Sequence, residues 1–278
     1  MRIVVHLSDL HFGSADSALL GPLRARVRAL HPHLVAVSGD LTQRAKSWQF
    51  RAARAFLDTL PKPQIVVPGN HDVPLYNVFR RFFRPFERYR RYISDVLEPE
   101  YFDEELAVIG VSTARSLTIK GGRINQEQVA RIRARICDLP DRITKILVTH
   151  HPFDVASHQD PAHIVGRAAM AATGLAECGV DILLSGHLHA RHTSHAITRY
   201  RVAGFSALLV QAGTATSTRL RGEANSFNVL HIADPRLRIE HYGWDPARCE
   251  FALSEVASFE RTPTGWVPQP LTLSPSAV

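Results

Sequence analysis

The sequence predicts a layered α/β fold. Two observations carry it: short apolar runs alternate with helical stretches over the first two-thirds of the chain, and strand-like pieces without a long helix follow after about Thr193. The runs Arg2 to Leu7, Leu34 to Ser38, Gln64 to Val67, Leu106 to Val111, Lys145 to Thr149 and Asp181 to Ser185 read as buried strands. Between several of them, Ala18 to Leu30, Lys46 to Leu60, Gln126 to Cys137 and Gly166 to Cys178 read as the helices of crossover connections. The later pieces, Thr193 to Val202, Ala207 to Gln211, Ser226 to Ile232 and Leu237 to Tyr242, either complete the sheet as antiparallel strands or form a second sheet packed on the first. No internal repeat or low-complexity linker divides the chain, so residues 1–278 read as a single domain. Its last residues, about 264–278, are rich in Pro, Thr and Ser and read as a loosely held tail.

With 278 residues, 45% of them apolar and 21% charged, the chain can bury a core and is not of the disordered class. No run approaches the roughly 18 apolar residues of a membrane span. The start, MRIVVHLSDLHFG, passes from a strand straight into polar residues, so no secretory signal is expected and the expected location is cytoplasmic. Cys137, Cys178 and Cys249 are odd in number and form no C-x-x-C, and the expectation is three reduced thiols in packed positions. The net charge is +7, and only four of the 33 basic residues are lysine. The excess is therefore arginine, the better partner for phosphate groups. That balance fits an anionic substrate, nucleic acid or an acidic membrane surface alike.

One segment stands apart. Within a cap-like helical stretch at about 74–97, residues Val78 to Ile93 read VFRRFFRPFERYRRYI. Phe79, Phe82, Phe83, Phe86, Tyr89 and Ile93 fall roughly on one helical face and Arg80, Arg84, Arg88 and Arg91 on another. Pro85 should kink the helix or divide it. A cap beside an active site, a dimer contact, a patch for acidic lipids and a helix docked on the core with its arginines in water all share this pattern.

The chemistry collects where the apolar strands end. They run into Ser8-Asp9-Leu10-His11, Gly39-Asp40, Gly69-Asn70-His71-Asp72, His150-His151-Pro152 and Gly186-His187-Leu188-His189. The carboxyl ends of strands form the common ligand crevice of α/β sheets. In D-x-H and H-x-H, alternate residues of an extended segment point the same way and can reach one ion. A mixed set of Asp, Asn and His suits transition ions such as Mn, Fe or Zn rather than Mg or Ca.

These blocks, in this order over Ile3 to His189, resemble the calcineurin-like metallophosphoesterases, in their bacterial cyclic-nucleotide-phosphodiesterase-like branch. The resemblance implies an α/β/β/α sandwich, two central mixed sheets flanked by helices. It implies two divalent or trivalent transition-metal ions, one held by Asp9, His11 and His189, the other by Asn70, His150 and His187, with Asp40 between them. His71 would be the catalytic histidine that contacts the leaving group or substrate phosphate. His151 would stand behind the ligands, and Asp72 either orients a histidine or caps the following turn. Only Asp9 and Asp40 are anionic among the seven implied ligands, so a loaded centre keeps a positive surplus for phosphate. A hydroxide bridging the ions would attack phosphorus directly, with no Ser or Cys nucleophile needed.

Gly39 to Ala45 and Val67 to Pro74 look most like the cyclic-nucleotide phosphodiesterases, and Asn225-Ser-Phe-Asn228 fits the same branch. Arg44 is close enough in sequence to Asp40 to meet a phosphate oxygen. The expected activity is therefore hydrolysis of a phosphodiester of a small molecule. A pyrophosphohydrolase of a nucleotide-linked lipid is the alternative, with a nuclease or a non-catalytic scaffold behind it. Nucleic acid is not an expected partner, while peripheral membrane contact and a homodimer stay open.

Overall fold

In the computed structural model, which describes residues 1–200, 202, 206–219 and 222–270, two β-sheets pack face to face with helices on both outer sides. The chain begins β1 (Arg2–Leu7), α1 (Ser17–Ala29), β2 (Leu34–Val37), α2 (Ser47–Leu57), β3 (Gln64–Val66), α3 (Val78–Phe83) and α4 (Glu87–Tyr92). It continues β4 (Glu100–Phe102), β5 (Leu106–Val111), α5 (Gln126–Ile136), β6 (Thr144–Thr149), α6 (Ala168–Ala176), β7 (Ile182–Ser185), β8 (His192–His195), α7 (Ala196–Tyr200) and β9 (Leu208–Gln211). The last strands are β10 (Ser226–Ala233), β11 (Arg236–Asp245), β12 (Glu250–Thr262) and β13 (Gly265–Gln269).

One sheet runs β13-β12-β11-β10-β1-β2-β3 and the other β4-β5-β6-β7-β9-β8. In the first, β1, β2 and β3 are parallel and β10 joins β1 antiparallel. In the second, β5, β6, β7 and β9 are parallel, with β4 and β8 as antiparallel edges. Both sheets are thus mixed, and the predicted α/β/β/α layering holds. The two open placements of the later strands are each realised: β10 to β13 complete the first sheet, while β8 and β9 belong to the second.

The apolar runs are continuous because both faces are covered. Val4, Leu34, Ala36 and Ile65 cluster between the sheets with Val108, Ile146, Val148 and Leu184. The alternate residues Val5, Leu7, Val35 and Val37 cluster with Leu19 and Leu23 of α1 and Phe50 and Phe56 of α2. Ile109, Leu147 and Leu183 do the same with Val129 and Ile132 of α5 and Ala171 and Leu175 of α6. Such period-two division of one strand between two cores pins the register, since a one-residue slip would exchange the two sets.

Four expectations need correction. Thr193 to Val202 is not one strand: β8 stops at His195, opposite Leu208 where β9 begins, and with no partner left the chain turns into α7. Cys137 and Cys178 are joined by a disulfide across the ends of α5 and α6, leaving Cys249 as the free cysteine. Those helices pack side by side, a neighbourhood that a sequence separation of 41 does not reveal. The tail is held over Gly265–Gln269, which pair with Ser258–Thr262; residues 271–278 lie outside the described residues.

The fourth concerns the arginine and aromatic segment, which Pro85 does divide, into α3 and α4. Only α4 follows the expected face: Tyr89 and Ile93 are buried in the first sheet's core, and Phe86 packs against it. α3 is turned the other way, because Arg81 is buried and donates to the carbonyls of Pro74 and Thr118. Phe79, Phe82 and Phe83 are left exposed.

Candidate metal centre

Each predicted block follows a strand, and the strands β1, β2, β3, β6 and β7 all deliver theirs at the carboxyl edge of the two sheets. The loops are laced together by their backbones. Asp9 N–H donates to Gly39 O, His11 N–H to Asp40 O, and Gly186 N–H to His150 O. Close approach demands glycine: a Cβ on Gly186 would stand 1.7 Å from Ser8 Oγ, and one on Gly69 would stand 2.1 Å from Asp40 Oδ1.

The backbone at the candidate residues is not extended. Asp9 (φ 53°), His11 (47°), Asp40 (52°), His187 (77°) and His189 (59°) all occupy the left-handed region. This corrects the argument from alternating side chains in D-x-H and H-x-H. Non-glycine residues pay for such conformations with strain, which clusters at functional sites. Asp9 and His11 still converge, with His11 Nε2 3.5 Å from Asp9 Oδ1. His187 and His189 part company, one meeting His150 and the other His11.

Two groups result. In one, His189 Nε2 lies 3.0 Å from His11 Nε2 and 3.3 Å from Asp9 Oδ1. In the other, His150 Nε2 lies 3.1 Å from Asn70 Oδ1 and 3.3 Å from His187 Nδ1. Asp40 spans them, with Oδ1 3.4 Å from His150 Nε2 and Oδ2 3.5 Å from His11 Nε2. Asp9, His11, Asp40, Asn70, His150, His187 and His189 are all buried.

The tautomers decide what this arrangement can hold. His150 Nδ1 donates to Ser38 O at 2.8 Å, and His189 Nδ1 donates to Arg219 O at 2.9 Å. Neutral rings then turn their Nε2 lone pairs toward carboxylate, amide and imidazole acceptors. Asp9 Oδ1, His11 Nδ1 and His187 Nε2 are buried without a hydrogen-bond partner among the described residues. Lone pairs gathered this way call for cations, and the oxygen and nitrogen donors fit transition-metal ions.

Protons are the competing occupants. Burial opposes charge on Asp9, yet the imidazoles of His189, His11 and His150 outweigh it and hold its carboxyl well below the usual range. Asp40 behaves alike, held down by His150, His71 and His11 against burial. Burial likewise opposes the charge on His150, but Asp40 raises its pKa to about 9, and Asp9 moves His189 upward. Burial and His150 push His187 down to about 3. A metal taken up by these candidate groups would therefore have to displace protons from His150 and His189. Titration of Mn²⁺ into the protein at pH 7, in buffers of different ionisation enthalpy, should report net proton release. The apparent affinity should climb as pH rises toward about 9, and buffer-independent heats would contradict this account.

The neighbours have distinct duties. His151 Nε2 donates to Lys120 O, so its Nδ1 accepts from Thr113 Oγ1 at 2.8 Å, and both nitrogens are engaged. His71 is half-buried, with Nδ1 donating to Gln43 O at 2.9 Å and Nε2 4.0 Å from Asp40 Oδ2. Burial lowers its pKa, against the pull of Asp40. Asp72 neither orients a histidine nor merely caps its turn. It accepts from the backbones of Leu41, Thr42 and Gly69 and from Thr42 Oγ1, stapling the loop after β2 to the loop after β3. Arg44 carries its guanidinium over exposed Tyr76, 5.6 Å from the ring centroid.

Sequence reasoning missed the supports from the C-terminal half. Thr214 and Thr216 donate to the carbonyls of Asp9 and Leu10, both at 2.7 Å, and Ser8 Oγ donates to Asp9 Oδ2 at 2.6 Å. The hydroxyls of Thr214, Thr216 and Ser217 follow β9 as the acidic and histidine blocks follow other strands, so the same strand-end rule would have found them. Asn225 donates to the carbonyls of Thr214 and Ser217 and so holds this loop, while Asn228 joins a buried chain with His6 and His241.

A family model described as calcineurin-like phosphoesterase matches residues 2–191. The chain is 26% identical over 200 residues to the 3',5'-cyclic adenosine monophosphate phosphodiesterase CpdA of Escherichia coli K12, covering 67% of this chain and 69% of that enzyme. It is 27% identical over 172 residues to the glycerophosphodiester phosphodiesterase GpdQ of Enterobacter lignolyticus, covering 57% of this chain and 60% of that one. Among solved structures, a dimetal phosphatase from Danio rerio superposes with a TM-score of 0.65 at 14% identity, over 91% of this chain and 98% of the other. The purple acid phosphatase PPD1 of yellow lupin gives 0.64 at 13% identity, over 92% of this chain and 53% of the other. At those identities the structural likeness speaks for the fold.

Proposed function

The chain belongs to the calcineurin-like phosphoesterase family and is a metal-dependent phosphoester hydrolase; we propose that it is a phosphodiesterase acting on a small, cyclic-nucleotide-like diester at this centre. The observation that carries the reading is Asp40, whose two oxygens face two separate histidine groups. Asp9, His11 and His189 would hold one ion and Asn70, His150 and His187 the other, with Asp40 shared between the two groups. Mn or Fe are the proposed ions, and Zn satisfies the same donors. When bound, such a pair supplies Lewis-acid stabilisation of phosphoryl oxygens and an acidified water.

The chain's own groups do the rest. The backbone carbonyl of Gln43 accepts from Nδ1 and fixes the ring of His71 with Nε2 toward Asp40. Protonated there, His71 hands a proton to the departing alkoxide; its lowered pKa makes that proton easy to give and scarce as pH rises. Arg44, whose guanidinium lies over the Tyr76 ring, is the cation we assign to a substrate phosphate oxygen. The two relatives named as phosphodiesterases support a diester over a monoester.

The test is Mn-dependent hydrolysis of bis-p-nitrophenyl phosphate beside p-nitrophenyl phosphate, with Asn70→Ala as the blank. Diester cleavage should exceed monoester cleavage and vanish in the blank. His71→Ala should lose roughly 10²- to 10⁴-fold in turnover while keeping its metals. No cleavage of either ester by protein holding two metals would sink the phosphodiesterase reading in favour of a pyrophosphohydrolase.

A further inference from the structure

α3 offers water an apolar face. Val78, Phe79, Phe82 and Phe83, with Leu117 and Ile119 from the loop after β5, are between 48% and 82% exposed. They form one surface because the buried Arg81 ties α3 to Pro74 and to the carbonyl of Thr118. Phe79 and Phe83 are in ring contact, with centroids 4.9 Å apart. Residues 76–93 carry six arginines against a single acid, Glu87. Of these Arg84, Arg90 and Arg91 are exposed, as is Lys120 beside Ile119. Exposed apolar side chains gathered on one face and rimmed by cations mark an interaction surface.

We propose that the face built by α3 and residues 117–120 docks on an anionic phospholipid bilayer. Aliphatic and aromatic tips enter the headgroup boundary while the surrounding arginines and Lys120 meet lipid phosphates. The charge argues against the alternatives. A two-fold contact with a second copy would set this basic rim against itself. A nucleic acid would satisfy the arginines but leave Val78, Leu117 and Ile119 without a base to stack on. The face also borders the candidate centre: Ile119 O accepts from Asn70 Nδ2 at 3.3 Å. Docking therefore brings the centre beside the headgroup layer, where the diesters of the proposed reaction would be those presented at a membrane. That last step rests on the phosphodiesterase reading, whereas docking itself does not.

The experiment is co-sedimentation of the full chain with vesicles of phosphatidylcholine alone or with about 30 mol% phosphatidylglycerol. Wild type should pellet with the anionic vesicles only, and less so as salt rises. Phe79→Ser/Phe83→Ser and Arg84→Glu/Arg90→Glu should each weaken partitioning roughly tenfold or more, while cleaving bis-p-nitrophenyl phosphate as wild type does. If one pair fails to fold, the other decides. Wild type left in the supernatant with anionic vesicles, or variants that bind as well as wild type, would overturn the proposal. So would light scattering that shows a dimer broken by the phenylalanine pair. Since binding is read without turnover, failure here and failure of the phosphodiesterase reading are told apart.

Discussion

Asp40→Asn should lower phosphoester turnover on the order of a thousandfold or more and reduce the metal content to one ion or none. The substitution keeps the shape and separates charge from architecture. Asp40 Oδ1 accepts from the His71 backbone N–H at 2.8 Å, and an asparagine oxygen can keep that bond. The other branch then becomes an amide N–H pointing at His11 Nε2, which the carboxylate faced at 3.5 Å. An amide nitrogen does not ligate, so the residue can serve one group but no longer both. Removing the anion also removes the attraction that lifts His150 to about 9, so its ring should lose its proton at lower pH. Metal analysis and turnover should therefore fall together while the melting transition stays cooperative. Undiminished turnover with two bound metals would remove Asp40 from its joining role.

Much of this was legible because strands and ligands share one rule. Arg2 to Leu7 and Leu106 to Val111 have the predicted bounds, since a strand covered on both faces announces itself by an unbroken apolar run. The polar blocks closing such runs are the residues that the fold gathers into the candidate centre. What stayed hidden depends on distant partners. β12 was not read as a strand, because Ser254 and Glu255 face water and its pairing with β11 and β13 is invisible locally. α3 has the periodicity of a docked helix, and only the carbonyls that receive Arg81 turn its aromatic face outward. The left-handed conformations of Asp9, His11, Asp40, His187 and His189 were equally unreadable. Asp and His enter this region more often than most non-glycine residues, but that preference does not single out these five positions, where the loop-to-loop hydrogen bonds impose it.

Gly69→Ala tests whether those loops must touch for the chemistry to exist. Gly69 has φ −100°, which alanine adopts freely, so backbone strain is not the issue. Space is: the added Cβ would sit 2.1 Å from Asp40 Oδ1 and 2.3 Å from Asp40 N. The second contact is with backbone, so no side-chain rotation relieves it. Either the loop after β3, carrying Asn70 and His71, or the loop after β2, carrying Asp40, has to retreat. Retreat would pull apart the Asp72 staple, whose carboxylate accepts from Gly69 N at 2.9 Å and Thr42 N at 2.9 Å. Asp72 is already costly to bury, its pKa raised to about 6 by desolvation and by Asp40. The expected result is about 1–3 kcal/mol of lost stability from overpacking, with turnover down by roughly a hundredfold as ligands leave their geometry. Gly21→Ala is the control: it lies within α1 with nothing inside 4 Å of a new Cβ. It should be neutral or gain up to about 1 kcal/mol. Equal behaviour of the two variants in thermal melts and turnover would mean that the loops have slack, and that their contact at Gly69 is not what positions Asp40.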